Sequence, residues 1–428
     1  MHIVQAVNRG PALLGRLAIQ SSIFIRMTTN DPSWLRGRLP PEAREALESG
    51  LPASEVWSLL LGVMEARASR RTPASLREQW GRDRFVEPCY LDQRTLIAMD
   101  SALLAAVPAF ESIELSPVAP LGVCSAMALA SQNKVVSTTR GTEVVSDPTN
   151  VLALECARRL REDGSRVVRL VTSHRCVRAQ PFPKLPGYAA HFRMLCLASA
   201  GHERENRALL SGELTEHICA HLAALDALER VGYSFSHRKL RLMASPANAE
   251  LAERIAAAVV ERVRPAKAVG DEAVAVRSAA GGDDGSESVA ASARLGGDVA
   301  SEGVAASAGM VGDVASEGVA ASAGTGGNVA SEGVAASAGM GGNAAAGDVA
   351  ADIVPPLLIE HQPLQQAYYD GLRFQIDVTA PNGVTLPLID GGTFDWLRKL
   401  LSNGKMVFVA SAMGSQVAAY LFRRDTRR

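Results

Sequence analysis

The sequence of 428 residues lacks long apolar runs, paired cysteines and a charge imbalance. No run of 18 apolar residues occurs, so we expect no membrane-spanning helix. The six cysteines are scattered and form no Cys-x-x-Cys pair, which is typical of the reduced, buried thiols of a cytoplasmic protein. The formal net charge is −1, which gives no electrostatic reason to predict a nucleic-acid-binding surface.

Acidic residues are absent from the first 30 positions, which contain Arg9, Arg16 and Arg26. That composition is typical of a targeting peptide. Alternatively, translation starts at Met27 and the residues before it are not native. Under both interpretations residues 1–27 are an extension that lies outside the fold.

Large apolar side chains are scarce in residues 266–351, which contain a tandem repeat of 15 residues. Its clearest copies read GGDVASEGVAASAGM, VGDVASEGVAASAGT and GGNVASEGVAASAGM. Valine and alanine diluted by glycine and serine bury too little surface to offset roughly 1–2 kcal/mol of backbone entropy per ordered residue. We therefore predict a disordered insert that separates two folded parts, residues 28–265 and 352–428.

Hydrophobic periodicity predicts helices and strands in both folded parts. Helices are expected at residues 54–70 with Ser54 as N-cap, 92–106 capped by Asp92, and after the cap Asp147. Further helices are expected at residues 213–230, 248–263 and 393–401, and strands at residues 110–116, 166–178, 191–200, 238–244 and 406–412. A Pro-Asn-Gly hairpin turn at residues 381–383 joins two more strands. Hairpins mixed with helices predict an α+β fold with a largely antiparallel sheet.

Tyrosine is also scarce, with six in the chain, yet Tyr368 and Tyr369 are adjacent. They precede a strand in which Leu372, Phe374 and Ile376 alternate with polar residues, the pattern of a half-buried strand. The two rings could fill the core at a sheet edge or line a pocket. The local sequence leaves both possibilities open.

The order of these segments resembles the catalytic core of class II aminoacyl-tRNA synthetases, specifically the histidyl-tRNA synthetase group. That group includes the synthetase-like regulatory subunit of ATP phosphoribosyltransferase. The resemblance is carried by HRCVR, HFRMLCLASAG, YYDGLRFQI and GGTFDWL, in this order along residues 88–246 and 352–419. Each motif alone is weak, and their order carries the resemblance.

The resemblance implies a ligand-binding site made of six residues. Tyr368 and Tyr369 would be walls of a pocket for a small amino-acid-like ligand, and Gly391 and Gly392 would form its floor as a glycine turn. The remaining two are Arg175 and Arg178, the cations of the family's Phe-Arg-x-Glu-Arg run.

The sequence departs from the family at several positions that serve ATP. Val177 replaces the acidic residue that helps to read adenine, and Met194 and Ala198 replace polar residues on the returning strand. Residues 363–367, PLQQA, contain no activating arginine, and residues 414–417, GSQV, replace a Gly-Leu-Glu-Arg run. Each lost charged contact is worth on the order of 1.5–3 kcal/mol, so we expect no working adenylation site.

The chain ends at Arg428, directly after the last core helix, so we expect no anticodon-binding domain and no tRNA partner. His217 and His221 lie four residues apart on a predicted helix, but no third ligand is evident and we expect no metal site.

Two functions therefore remain as hypotheses. The first is a non-ligating, ligand-sensing or regulatory homodimer, which resembles the phosphoribosyltransferase subunit and acts with a partner enzyme. Residues 92–116 would form its dimer interface. The second is an enzyme that activates an amino acid with ATP and Mg²⁺ and transfers it to an acceptor other than tRNA. No cofactor is expected under the first hypothesis.

Overall fold

The structure, a computed structural model, describes residues 37–128, 130–181, 189–263 and 357–424. The predicted extension at residues 1–27 and the predicted insert at residues 266–351 lie outside the described residues. The strands are β1 (Glu111–Ser112), β2 (Val118–Pro120), β3 (Thr142–Val144), β4 (Val168–Val177), β5 (His191–His202), β6 (Ser236–Ala244), β7 (Leu358–Pro363), β8 (Leu372–Thr379), β9 (Thr385–Thr393) and β10 (Met406–Met413).

The α-helices are α1 (Pro41–Glu45), α2 (Ala53–Ala68), α3 (Pro73–Trp80), α4 (Gln93–Ala105), α5 (Val123–Met127), α6 (Pro148–Glu162), α7 (Ala208–Arg230), α8 (Ala249–Val263), α9 (Trp396–Leu401) and α10 (Ser415–Leu421). None of the helices in the described ranges combines the length and the apolar composition that a membrane span requires.

An eight-stranded sheet forms the central layer, in the order β1-β4-β5-β10-β9-β8-β6-β7. The edge strands β1 and β7 pair in parallel with β4 and β6, and the other neighbours in this sheet are antiparallel. β2 and β3 form a separate antiparallel pair. The α+β fold with a largely antiparallel sheet that the sequence predicts is therefore confirmed.

Two apolar cores cover the two faces of this sheet. Side chains of α4, α7, α8 and α10 pack on one face, which we call the α7 face. Side chains of α5, α6 and α9 pack on the other, which we call the α6 face. Because side chains alternate along a strand, neighbouring residues of β5 or β10 belong to different cores.

Most predicted elements are present, with shifted ends. Asp147 caps α6 through its side chain, which accepts a hydrogen bond from the Thr149 N–H at 3.0 Å. Asp92 stands at the start of α4 but makes no side-chain cap bond there. The prediction of Ser54 as an N-cap is wrong, because the helix already begins at Ala53 and Pro52 is its N-cap.

Three other boundaries differ from the prediction. The strand expected at residues 110–116 is reduced to the two residues of β1, because the chain then leads into the separate β2–β3 pair. The helix expected from residue 393 begins at Trp396, since Thr393 still pairs with Val409 in the sheet. Strand β7 was not predicted.

Strand β8 is more buried than its alternating sequence predicts. Leu372, Phe374 and Ile376 pack in the core of the α7 face, as expected. The polar residues Gln375 and Asp377 are buried as well. They are tolerated because Gln375 donates to Asp390 and Asp377 accepts from Arg241 at 2.6 Å, which satisfies their hydrogen bonds.

Candidate ligand-binding cleft

A cleft opens on the α6 face, where the start of α6 meets the end of β4 and the turn before β8. Its enclosed part measures about 20 Å³ and lies between Cys124, Asp147, Asn150, Arg178 and Tyr368. A second space, of about 10 Å³, continues along Asp147 and Tyr368 toward β9. The two spaces share these two residues, and we call them together the Tyr368 cleft.

The two tyrosines play different parts in this cleft. Tyr369 is only 6% exposed, and its hydroxyl donates to Asp390 at 3.0 Å. Tyr368 lines both cavities, and its ring stands perpendicular to that of Tyr369 at 5.0 Å between centroids. Tyr369 therefore supports the wall, and Tyr368 presents the ring that borders the open space.

An aromatic cluster holds both rings in place. Phe394 contacts Tyr368 and Tyr369, at 5.3 and 5.1 Å between centroids, and stacks on Trp396 at 4.1 Å. Burial raises the pKa of both phenols well above the usual value of 10, so both hydroxyls stay protonated and can donate.

Asp390 is the buried acceptor behind Tyr369. Its carboxylate also accepts from Arg373 Nε at 3.0 Å, from Arg373 Nη2 at 2.7 Å and from Gln375 Nε2 at 3.3 Å. Burial raises the pKa of Asp390, and the hydrogen bonds from Arg373 and Tyr369 oppose that shift. Because protein donors already fill its lone pairs, Asp390 positions Tyr369 and leaves little for a ligand to contact.

Gly391 and Gly392 lie inside β9, paired with strands on both sides, so the predicted glycine turn is wrong. A Cβ atom on Gly392 would come within 2.6 Å of the Tyr369 ring, so this glycine lets Tyr369 pack directly on the strand. A Cβ atom on Gly391 would instead meet Ser411 Cβ at 2.3 Å and Phe374 at 2.8 Å, in the α7 face. The backbone of Gly391 borders the cleft, but a side chain there would strike the opposite core.

Arg178 faces the cleft. Its Nε donates to the Ser146 carbonyl at 3.1 Å, and its guanidinium lies 5.0 Å from the centre of the Phe192 ring. Its Nη2 is 3.8 Å from Asp147 Oδ2, which is an ion pair but too long for a hydrogen bond. Both side chains are largely buried.

Arg175 lies on the α7 face, because an odd spacing along a strand places two side chains on opposite sides. Its Nη1 donates to His191 Nδ1 at 3.0 Å and to Gln416 Oε1 at 3.2 Å. The structure therefore does not bring Arg175 and Arg178 together, and the expectation that they serve one site as a pair is wrong.

Several cleft residues were not singled out by the sequence. The sequence predicts Asp147 only as a helix cap, and no motif contains Cys124 or Asn150. Cys124 Sγ lies 2.9 Å from Ser146 Oγ and accepts from Asn150 Nδ2 at 3.0 Å. Burial raises the pKa of the Cys124 thiol to about 11, so it is a neutral hydrogen-bonding group and not a nucleophile.

His217 and His221 are buried on the α7 face and contact a serine. His217 Nδ1 and His221 Nε2 lie 2.7 and 2.8 Å from Ser411 Oγ, and His217 Nε2 lies 2.9 Å from Ser199 Oγ. Within the described ranges no three His, Cys, Asp or Glu side chains could share a metal ion.

No family model matches the sequence, and no curated protein sequence matches it. Solved structures do match it in fold. The chain is similar to apo histidyl-tRNA synthetase of S. aureus at 9% identity and a TM-score of 0.39, over 76% of this chain and 64% of that one. It therefore spans less than two thirds of that synthetase.

Two further structures cover more of the compared chain. One is described as an ATP phosphoribosyltransferase regulatory subunit/histidyl-tRNA synthetase from Bacillus halodurans, with 12% identity, coverage of 78% and 81%, and a TM-score of 0.41. The other is a histidine–tRNA ligase subunit from Alicyclobacillus acidocaldarius, with 14% identity, coverage of 78% and 94%, and a TM-score of 0.41. The group that the sequence resembles is thus represented among the similar structures.

Proposed function

We propose that the Tyr368 cleft binds a small amino-acid-like ligand and that the protein is a non-ligating, ligand-sensing synthetase paralogue. The observation that carries this proposal is the ion pair of Arg178 and Asp147, which is buried in the cleft wall at 3.8 Å without closing a hydrogen bond. Arg178 donates to the Ser146 carbonyl and Asp147 accepts from Thr149, but the two charges do not hydrogen-bond each other, so the pair can still accept a ligand. The enclosed space of about 20 Å³ holds about one water, so an amino acid would have to displace side chains of the wall as it enters. A zwitterion that does so could contact both charges, its carboxylate at Arg178 and its amine at Asp147.

The arrangement of the cations supports a role without ATP chemistry. A triphosphate needs several cations that converge on one place, and arginine serves best through its planar fork. Arg175 is instead held by His191 and Gln416 on the other face of the sheet. Gln416 also belongs to the segment where the sequence lacks the family's last arginine.

An ATP-dependent ligase acting on an acceptor other than tRNA is the second candidate. The observation in its favour is that Lys134 and Arg178 both line the cleft and could approach a phosphate. ATP and Mg²⁺ would be its cofactors.

The structure from Bacillus halodurans bears the name of a regulatory subunit, and we propose that this chain likewise acts with a partner enzyme. The six cysteines are free thiols, in keeping with a cytoplasmic location. We propose that tRNA is not a partner of this protein.

Thermal melts with each of the twenty standard amino acids, and with ATP and Mg²⁺, test the cleft. A ligand that binds the native state at 100 times its Kd adds about 2.7 kcal/mol of stability, and we expect such a shift with at least one amino acid. Arg178→Met should abolish the shift, while Arg175→Met, the same change on the other face, should keep it. Each variant is compared with its own ligand-free melt.

Three results would count against this proposal. They are no shift with any amino acid, an equal loss in both variants, or exchange of pyrophosphate into ATP in the presence of an amino acid. The last result would establish the ligase instead.

A further inference from the structure

Asn150 is a buried amide that lines the Tyr368 cleft from the first turn of α6. Its side chain is 1% exposed. Its Nδ2 donates to Cys124 Sγ at 3.0 Å, and that sulfur also contacts Ser146 Oγ at 2.9 Å. The amide nitrogen therefore already donates a hydrogen bond to another residue of the cleft wall.

The other end of the same amide has no partner. Asn150 Oδ1 is buried, and no donor reaches it among the residues that the structure describes. A buried acceptor without a donor destabilises the folded state, so such groups in folded proteins call for an explanation. An N–H donor that enters the cleft would remove this cost.

The charges around Asn150 indicate which donor fits. Asp147 lies three residues earlier at the cap of the same helix and faces the same cleft, while Lys134, Arg178 and Gln180 also line it. Asp147 is the one acid in this lining, against the two cations Lys134 and Arg178. If the ligand's carboxylate lies at Arg178, the donor that remains for Asp147 and Asn150 is the ligand's protonated amine.

We propose that Asn150 Oδ1 accepts a hydrogen bond from the protonated amine of the ligand, with Asp147 as the counter-charge, so that the cleft selects a primary amine over its deaminated analogue. This inference rests on the proposed function and assigns a specificity-determining residue to that cleft.

The experiment compares the amino acid that binds most tightly with its deaminated carboxylic acid. For histidine the analogue is 3-(imidazol-4-yl)propionate. Wild-type protein should bind the amine about tenfold to a hundredfold more tightly, the range expected for a hydrogen bond to a charged group. Asn150→Leu, which removes the oxygen at similar volume, should show a clearly smaller preference for the amine, because only Asp147 then remains to contact it. Asn150→Asp, which keeps an acceptor, should retain the preference.

The outcomes separate this inference from the proposed function. Equal binding of both compounds by wild-type protein, or an undiminished preference in Asn150→Leu, overturns the role of Asn150 and leaves the cleft in place. No binding of any amino acid overturns the proposed function and this inference with it. If Asn150→Leu does not fold, Asn150→Ala gives the same comparison.

Discussion

At the scale of single residues, burial decides what His217 and His221 can do. Both side chains are fully buried, and both contact the hydroxyl of Ser411. Burial lowers the pKa of His221 from 6.5 to about 3, and burial together with the neighbouring His221 lowers the pKa of His217 well below 6.5. Both rings are neutral near pH 7 and serve as polar core residues.

This burial predicts acid sensitivity. An unfolded histidine takes up a proton as the pH falls through about 6.5, while the folded His221 does not until about pH 3. Between these values the unfolded state binds more protons, so stability falls as the pH falls, by about 1.4 kcal/mol per pH unit for each such histidine. His221→Gln should reduce this slope by that amount between pH 6 and pH 5.

Urea unfolding at several pH values measures the slope. His361→Gln, the same change at a partly exposed histidine on β7, is the matched control. An identical slope in wild type and His221→Gln would show that His221 is not the source of the acid sensitivity.

At the scale of elements, a buried carboxylate fixes the short helix α5 that carries Cys124 into the cleft. Glu143 on β3 is 1% exposed, and its oxygens accept from the backbone N–H groups of Gly122 and Cys124 at 2.8 and 3.1 Å. Gln132 Nε2 donates to the same carboxylate at 2.8 Å. Gly122 has a φ of 91°, which favours glycine at the start of this helix.

Glu143→Gln should therefore destabilise the protein. A glutamine would turn an NH₂ group toward one of these N–H donors and leave at least one of them unpaired, at a cost of about 1–3 kcal/mol. A thermal melt would show this as a drop of about 2–4 °C for each kcal/mol. Glu111→Gln, the same change at an exposed ion pair with Arg159, should cost less. Equal melting temperatures for wild type and Glu143→Gln would contradict the role of this carboxylate as an anchor.

At the scale of the whole molecule, helix α4 packs one apolar face on the core and exposes one large apolar side chain on the outside. Leu96, Met99 and Leu103 are buried in the α7 face, whereas Ile97 is 59% exposed. Residues 92–116 are the segment that the sequence predicts as a dimer interface. A twofold-symmetric dimer would cover Ile97 with the same surface of a second copy.

Ile97→Glu should therefore convert a dimer to a monomer, because it places two like charges at the centre of a symmetric contact. Light scattering at micromolar concentration measures the mass. Val260→Glu on α8 is the control, since Val260 is also an exposed apolar residue but lies outside the predicted interface. A monomeric wild type, or a dimer that persists in Ile97→Glu, would contradict the prediction.

The sequence alone determined the class of fold and most of its elements. Period-two and helical patterns report which side chains are buried, and this information is local. The sequence therefore predicts both ends of β4 and β5 to within two residues, the start of α6 and the presence of α7. The same patterns were unreliable at element ends and at β7, where pairing with distant strands decides whether a short segment is ordered.

Only the tertiary structure decided which residues share a site. Arg175 and Arg178 are three positions apart, but α6 and the Tyr368 turn pack on one side of β4 and place the cleft at Arg178 alone. Likewise, Gly391 is close-packed because strand register sets it against Ser411, and Asn150 reaches the cleft because α6 packs beside Cys124. These contacts join residues far apart in the chain, so no local pattern could reveal them.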